Sequence, residues 1–284
     1  MRRIKEHISE SLSGKYSALE VKEISKALCI ELLGTGINDY YLDRETSLDS
    51  AQQQLLDFAL SRLGSGEPLQ YVLGYTFFCG LKLKTDARAL IPRPETTELV
   101  EWILQDHATE SGCDFSVLDI GVGSGAISLA LKQNRPLWKV CGVDVEPAAL
   151  GLASENVIGT GLDVELMLSD ILEWRDSALS ARKFNLIVSN PPYIAESEAL
   201  QMESTVLDYE PGSALFVPDS DPLLFYRKIL EYALHSLVPG GKVYFEINPL
   251  FVEELETLVL ELGFRNVDVR NDISGKQRMV RAML

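Results

Sequence analysis

The sequence lacks a disulfide framework, a metal-ligand cluster and a long apolar run. Its cysteines (Cys29, Cys79, Cys113 and Cys141) form no C-x-x-C pair, and its three histidines are scattered. This spacing predicts reduced thiols and no metal site. No stretch reaches the roughly 20 apolar residues that span a bilayer, and the N-terminus has no apolar signal-peptide core. We therefore expect a cytoplasmic protein that does not associate with membranes.

Positive charge is also scarce, because 26 Lys and Arg residues face 42 Asp and Glu residues and the net charge is −16. A large phosphate-binding face needs clustered Lys and Arg. We therefore expect no direct binding of nucleic acid. The length of 284 residues accommodates one α/β domain and a small second domain.

Apolar periodicity divides the chain into three regions. Residues 1–75 show one-face helical spacing, as at Ile4 and Ile8, and we expect a helical domain that docks a protein partner. Residues 76–92 alternate around a glycine and predict a β-hairpin linker. Residues 93–284 alternate strands and helices, which predicts an α/β fold with a mostly parallel sheet covered on both faces and an antiparallel last pair of strands.

A turn of sequence Asn190-Pro191-Pro192-Tyr193 follows the apolar run 184–189, which predicts a buried parallel strand. Ligands bind at the carboxyl ends of such strands. Two prolines remove two backbone donors and fix φ, so the turn is stiff and its carbonyls are free. An amide, a carbonyl and an aromatic ring on such a turn suit a planar NH₂ group. The alternative is an ordinary strand-ending turn.

The loop Gly121-Val122-Gly123-Ser124-Gly125 is a second segment that we expect to bind a ligand. It follows Asp119 at the end of another predicted strand. Glycines let a backbone approach a ligand closely. The spacing also fits a loose dinucleotide fingerprint, in which a pyrophosphate lies at a helix N-terminus. The acidic residue before the loop, Asp119, suits a cationic ligand better than it suits a pyrophosphate. S-adenosylmethionine carries an ammonium and a sulfonium group and no phosphate.

Two further acids end the next predicted strands. Asp144 could accept both hydroxyls of a ribose as a charge-assisted pair. Asp170 is placed to meet an adenine ring, with Ile171 packing beside it. The alternative for each acid is a helix N-cap or a solvated turn, which competes more strongly at Asp170 than at Asp144.

Together these motifs resemble the class I S-adenosylmethionine-dependent methyltransferases of the amino-methylating kind, which have a Rossmann-like sheet. Further segments narrow the resemblance to the peptide chain release factor glutamine methyltransferases (the PrmC or HemK family). These segments are Gly66-Glu67-Pro68-Leu69-Gln70-Tyr71, Ile91-Pro92-Arg93-Pro94-Glu95-Thr96, Tyr209-Glu210-Pro211 and residues 272–278. One departure is Thr97, which holds the place where the family usually has Glu, and Glu98 follows it.

The resemblance implies N5-methylation of the glutamine in the Gly-Gly-Gln loop of class 1 release factors. S-adenosylmethionine would be the donor and S-adenosylhomocysteine the product. We hypothesise that the Asn190 oxygen and the Pro191 carbonyl accept the two amide N–H groups, within a substrate site that includes Pro192. Tyr193 would support the amide plane by stacking or edge contact, and Asn190 would also border the donor.

Three other functions stay open at this point. A DNA adenine N6-methyltransferase needs the same acceptors but must also hold the DNA backbone, which the acidic composition disfavours. A nicotinamide dehydrogenase is disfavoured by Asp119. A non-catalytic binding module with this fold is the third.

Overall fold

The computed structural model describes residues 1–110, 112 and 114–284, and the prediction for Cys113 lies outside these residues. The chain forms two compact units. One consists of Met1–Tyr75 with Glu203–Tyr209, and the other of Thr76–Met202 with Glu210–Leu284. Cys29, Cys79 and Cys141 are free thiols. No helix formed by the described residues combines the length and the apolarity that crossing a bilayer requires.

The elements are numbered in chain order. The helices are α1 (Arg2–Leu12), α2 (Ala18–Ala27), α3 (Ile37–Tyr41), α4 (Ser50–Ser65), α5 (Leu69–Leu73), α6 (Pro94–Asp106), α7 (Ala126–Asn134), α8 (Pro147–Thr160), α9 (Ser204–Tyr209), α10 (Leu224–Ser236) and α11 (Val252–Glu261). The strands are β1 (Tyr75–Phe78), β2 (Leu81–Lys84), β3 (Ser116–Ile120), β4 (Lys139–Asp144), β5 (Glu165–Leu168), β6 (Phe184–Ser189), β7 (Ile194–Ala195), β8 (Phe216–Val217), β9 (Leu237–Glu246), β10 (Arg265–Asn271) and β11 (Gln277–Met283).

The helical unit packs α1, α2, α4 and their neighbours around one apolar core, in which Ile8, Leu28 and Leu63 are fully buried. Helices α2 and α4 each begin with a capping box, in which Ser17 or Asp49 accepts a hydrogen bond from the backbone N–H three residues later. The five-residue helices α3 and α5 are absent from the sequence prediction, because so short a segment shows no periodicity.

Seven strands of the described chain form the central sheet of the second unit, in the order β10-β11-β9-β6-β3-β4-β5. Neighbouring strands from β9 to β5 pair in parallel, whereas β11 is antiparallel to both β9 and β10. The predicted fold class is therefore confirmed. The strand order reverses beside β3, which is where open α/β sheets bind ligands.

Both faces of this sheet are covered, so its central strands are apolar on both sides. On one face, Leu118 and Ile187 pack with residues of α10 and α11. On the other, Val117 and Val188 pack with residues of α6 and α7, including Trp102. The period-2 alternation of a strand produces this division.

Strand β9 begins earlier than its apolar pattern indicates. The sequence predicts a helix that closes at Pro239-Gly240-Gly241 and a strand from Lys242, but β9 starts at Leu237 and includes these three residues. Its pairing with β6 jumps from Leu237 to Lys242. Gly240, at φ 79°, has a backbone conformation that suits such an irregular stretch.

Candidate active site

A cavity of about 400 Å³ opens at the carboxyl ends of β3, β4, β5 and β6, entirely within the second unit. Its volume is in the range of small-molecule sites. Ten of the predicted site residues line it: Gly121, Val122, Gly123, Ser124, Asp144, Asp170, Ile171, Asn190, Pro191 and Pro192. Asp119, Gly125 and Tyr193 are not among the lining residues. The structure therefore brings the loop and the turn, predicted separately, to one cavity.

The glycine loop has a left-handed backbone at Gly121, Gly123 and Gly125, with φ of 74°, 54° and 85°. Residues other than glycine are strained in this left-handed region of backbone conformation. Gly125 begins α7, and a Cβ there would lie 3.3 Å from Leu129 Cδ1 and 3.6 Å from the Cβ of Ala153. Glycine is therefore required for the shape of the loop and for its close packing on α8.

Asp144 is held in a fixed orientation by two backbone donors. Its Oδ2 accepts a hydrogen bond from Gly123 N at 2.9 Å, and its Oδ1 accepts one from Glu146 N at 3.0 Å. A carboxylate has about four acceptor positions, so it can still accept two hydroxyl groups. The side chain is half-buried and borders the cavity.

Asp170 has the structural role that the sequence left open. Its Oδ1 accepts a hydrogen bond from Leu172 N at 2.8 Å and caps a short 3₁₀ helix, Ile171–Asp176. Asp170 also lines the cavity, together with buried Ile171. The N-cap fixes the carboxylate at the cavity wall, and one oxygen remains for a ligand.

Asp119 lies beneath the loop. It is buried, and its Oδ2 accepts hydrogen bonds from the backbone N and the hydroxyl of Ser128 at 3.0 and 2.7 Å. Its Oδ1 has no hydrogen-bond partner among the described residues. Burial raises the pKa of the Asp119 carboxyl to about 7. Its contacts tie β3 to the first turn of α7, under the part of the loop that faces the cavity.

The raised pKa of Asp119 gives a testable dependence of stability on pH. Between about pH 4 and 7 the folded protein keeps a proton that the unfolded chain has lost. This contribution to the free energy of unfolding is complete below the ordinary pKa and is lost as the pH rises through about 7. We expect Asp119→Asn, which mimics the protonated form, to be more stable than wild type at pH 8 and similar at pH 4.5. Urea unfolding at both pH values measures this difference, and equal differences at the two values would contradict it.

Gly142 in β4 leaves the space that the loop occupies. A Cβ there would lie 2.5 Å from Val122 Cγ2 and 3.2 Å from Ser128 Oγ. We expect Gly142→Ala to lower the free energy of unfolding by about 1–3 kcal/mol, because Val122 must move. Thermal unfolding measures this effect. Gly159→Ala in α8 is the matched control, since no atom lies within 4 Å of its added Cβ and alanine favours helix.

The turn after β6 is fixed at both of its ends. Asn190 Nδ2 donates a hydrogen bond to Thr96 Oγ1 at 3.4 Å, and the Tyr193 hydroxyl donates one to Glu246 Oε1 at 3.0 Å. Asn248 Nδ2 donates to the Tyr193 carbonyl at 3.0 Å. Within the described chain, no donor reaches the Asn190 Oδ1 or the Pro191 carbonyl. The two oxygens of the hypothesis are therefore free acceptors at the cavity wall.

Several residues of this site were missed by sequence reasoning. Thr96, Glu246 and Asn248 are all at least nine-tenths buried and contact the turn or each other. A partial signal exists for Glu246, which is an acid at the end of the apolar strand β9. Arg93 and Glu210, from two segments of the resemblance, form an ion pair at 2.6 Å. Their neighbours Pro92 and Pro211 line the cavity.

Two family models match the chain. "Methyltransferase small domain" matches residues 97–207, which include the glycine loop and the turn. "PrmC N-terminal domain" matches residues 5–74, which include most of the helical unit. Each model matches a different part of the architecture described above.

Curated relatives match over nearly the whole chain. A release factor glutamine methyltransferase from Bacteroides thetaiotaomicron is 39% identical over 99% of each chain. This chain belongs to the release factor glutamine methyltransferase family. Another member, from Flavobacterium psychrophilum, is 40% identical over 86% of this chain and 85% of its own. The family membership predicted from the sequence is confirmed.

Solved structures with lower identity show the same fold. The Thermus thermophilus 16S rRNA N2 G1207 methyltransferase, solved with AdoMet and guanosine, has a TM-score of 0.53 and is 19% identical, covering 74% of this chain and 49% of its own. A methyltransferase from Pyrococcus furiosus has a TM-score of 0.51 and is 18% identical, covering 83% and 98%. The sheet is therefore one that other methyltransferases share.

Proposed function

We propose that this protein transfers a methyl group from S-adenosylmethionine to the side-chain amide nitrogen of the glutamine in the Gly-Gly-Gln loop of class 1 peptide chain release factors. Family membership supports the reaction class and the release factor substrate. The observation that carries the proposal is a stiff strand-end turn with two free acceptor oxygens, at the wall of a cavity that also contains the glycine loop.

The cavity suits the proposed donor. The loop glycines bring the backbone to the cavity wall, and Asp144 has acceptor positions left for a pair of hydroxyl groups. Asp170 and Ile171 provide an acceptor and an apolar surface beside it. When bound, S-adenosylmethionine supplies an electrophilic methyl group on a sulfonium ion. The residues at the strand ends would hold it against the turn.

The turn addresses the low reactivity of an amide. An amide nitrogen is a poor nucleophile because its lone pair is delocalised into the carbonyl group. The Asn190 Oδ1 and the Pro191 carbonyl would each accept one N–H of the substrate amide and so orient its nitrogen toward the donor. Holding reactants in near-attack geometry contributes up to about 7–11 kcal/mol. No general base is required, because the methylated nitrogen becomes acidic and can lose its proton to water afterwards.

The helical unit would help to dock the release factor. It matches the PrmC N-terminal domain over residues 5–74. It also exposes large apolar side chains to solvent: Leu19, Ile37, Tyr41, Leu42 and Phe58 are each more than half exposed. Where such residues form a contiguous patch, that patch is typical of a surface that binds other proteins.

The decisive experiment incubates the protein with a purified class 1 release factor and methyl-labelled S-adenosylmethionine, then locates the label by mass spectrometry. We expect one methyl group on the loop glutamine. A release factor with alanine at that position is the control and should stay unlabelled. A short Gly-Gly-Gln peptide should react with a much higher KM if the helical unit docks the partner. Label on duplex DNA instead of the release factor would contradict the proposal.

A further inference from the structure

A buried carboxylate, that of Glu246, lies behind the turn. Glu246 is not among the residues predicted to bind the donor or the substrate. Glu246 ends β9 and is 1% exposed. Its Oε2 accepts a hydrogen bond from the Thr96 hydroxyl at 2.6 Å, and its Oε1 accepts one from the Tyr193 hydroxyl at 3.0 Å. Burial raises the pKa of Glu246, and these two hydrogen bonds oppose that rise. A buried acid normally costs stability.

The hydrogen bonds around Thr96 fix the orientation of the Asn190 amide. The Thr96 hydroxyl donates its single proton to Glu246 Oε2 and the Tyr193 hydroxyl donates to Oε1, so both carboxyl oxygens act as acceptors. The Thr96 oxygen can then only accept a bond from its other neighbour, Asn190. Asn190 must therefore present its NH₂ group to Thr96, and its carbonyl oxygen is left for the cavity.

The opposite orientation would be inactive under the proposed mechanism. If the Thr96 proton were free, it could bond the Asn190 oxygen, and the amide would turn its NH₂ group to the cavity. Two N–H donors, one from Asn190 and one from the substrate amide, would then face each other. Such a pairing loses a hydrogen bond and leaves buried donors unsatisfied.

We propose that Glu246 is a positioning residue, which acts through Thr96 to keep the Asn190 carbonyl oxygen turned toward the substrate amide. Glu246 also holds the other end of the turn through Tyr193. The inference rests on the proposed function, because it assigns a purpose to one orientation of Asn190. It explains why a carboxylate stands at the end of a strand whose preceding residues, Val243, Tyr244 and Phe245, are fully buried.

The first test is Glu246→Met, which has a similar size and neither accepts nor donates a strong hydrogen bond. We expect kcat to fall by about 100-fold, while the KM for the release factor and the Kd for S-adenosylhomocysteine stay close to wild type. Some stability should be lost, because the Thr96 and Tyr193 hydroxyls lose their acceptor. A purely structural role predicts instead that kcat, the KM for the release factor and the Kd for S-adenosylhomocysteine all worsen together.

The second test uses Thr96 and serves if Glu246→Met does not fold. Thr96→Val removes the hydroxyl group at nearly constant shape and should lower kcat to a similar extent. Thr96→Ser keeps the hydroxyl group and should recover most of the lost turnover. Equal turnover in the valine and serine variants would overturn the proposal.

The third test is independent of methylation. In ¹⁵N-labelled protein, the Asn190 side-chain NH₂ signals can be assigned by their loss in Asn190→Ala. We expect them to be protected from solvent exchange in wild type and in Thr96→Ser, and to become exchangeable in Glu246→Met and Thr96→Val. Unchanged signals in both of the latter variants would overturn the proposal. If wild type failed to methylate a release factor, the function would be wrong, but these signals would still decide the positioning role.

Discussion

Replacing Asn190 with alanine is expected to lower turnover by about 100- to 1,000-fold, because the substrate amide loses one of its two acceptors and with it the orientation of its nitrogen. Binding of S-adenosylhomocysteine should remain largely intact, since the glycine loop, Asp144 and Asp170 are other parts of the cavity wall that the substitution leaves unchanged. Single-turnover methylation of a release factor measures the first quantity, and calorimetric titration measures the second.

Asn185→Ala is the matched control for this prediction. Asn185 lies on the same strand, β6, but its Oδ1 accepts hydrogen bonds from the backbone N and hydroxyl of Ser116, away from the turn. Its loss should leave the turnover of the folded protein intact. If Asn190→Ala and Asn185→Ala showed the same turnover, the role given to the Asn190 amide would be wrong.

Replacing Asp144 with alanine is expected to weaken donor binding by about 100-fold or more. Hydrogen bonds to a charged group contribute about 1.5–3 kcal/mol each, and two ribose hydroxyls would lose their acceptor. The loop would also lose the carboxylate that holds Gly123 N. Calorimetric titration with S-adenosylhomocysteine measures the change. At saturating donor, kcat should fall less than in Asn190→Ala.

Asp163→Ala provides the control for Asp144, because Asp163 is an exposed acid in the loop before β5. It removes the same charge without touching the cavity. A loss of affinity as large in Asp163→Ala as in Asp144→Ala would show that overall charge, and not the ribose contact, governs donor binding.

The sequence was sufficient to predict the central sheet and the edge of the sheet at which the site lies. Parallel strands buried on both faces give continuous apolar runs, and the residues that follow β4 and β6 must then share one edge. This is why Asp144 and Asn190 could be assigned to one cavity although 46 positions separate them in the numbering. The glycine loop could also be predicted from the sequence, because a left-handed backbone strongly favours glycine over other residue types.

The direction in which each acid points was harder to predict. Asp119 is two residues after Val117 and therefore shares the sheet face that packs on α6 and α7, which takes its carboxylate to Ser128. Strand alternation contained this information, but the strand-end position alone suggested a ligand contact. At Asp170, the sequence could not separate an N-cap from a ligand contact, because one carboxylate can make both.

The buried network around Glu246 could not be read from one sequence. Thr96 lies 94 positions from Asn190 and 150 positions from Glu246. No local pattern joins residues so far apart, and only the packing of α6 beside β9 brings their side chains together. The same holds for Arg93 and Glu210, whose ion pair depends on the path of two loops.

The helical unit is completed by a distant part of the chain, since Tyr209, whose hydroxyl donates to the Ser65 carbonyl at 3.2 Å, belongs to it. During synthesis at about 5–20 residues per second, roughly 7 to 27 seconds separate the appearance of Tyr75 from that of Tyr209. The first unit to leave the ribosome is therefore finished only after most of the second has been translated. A fragment cut at Tyr75 would have an incomplete surface at the end of α4.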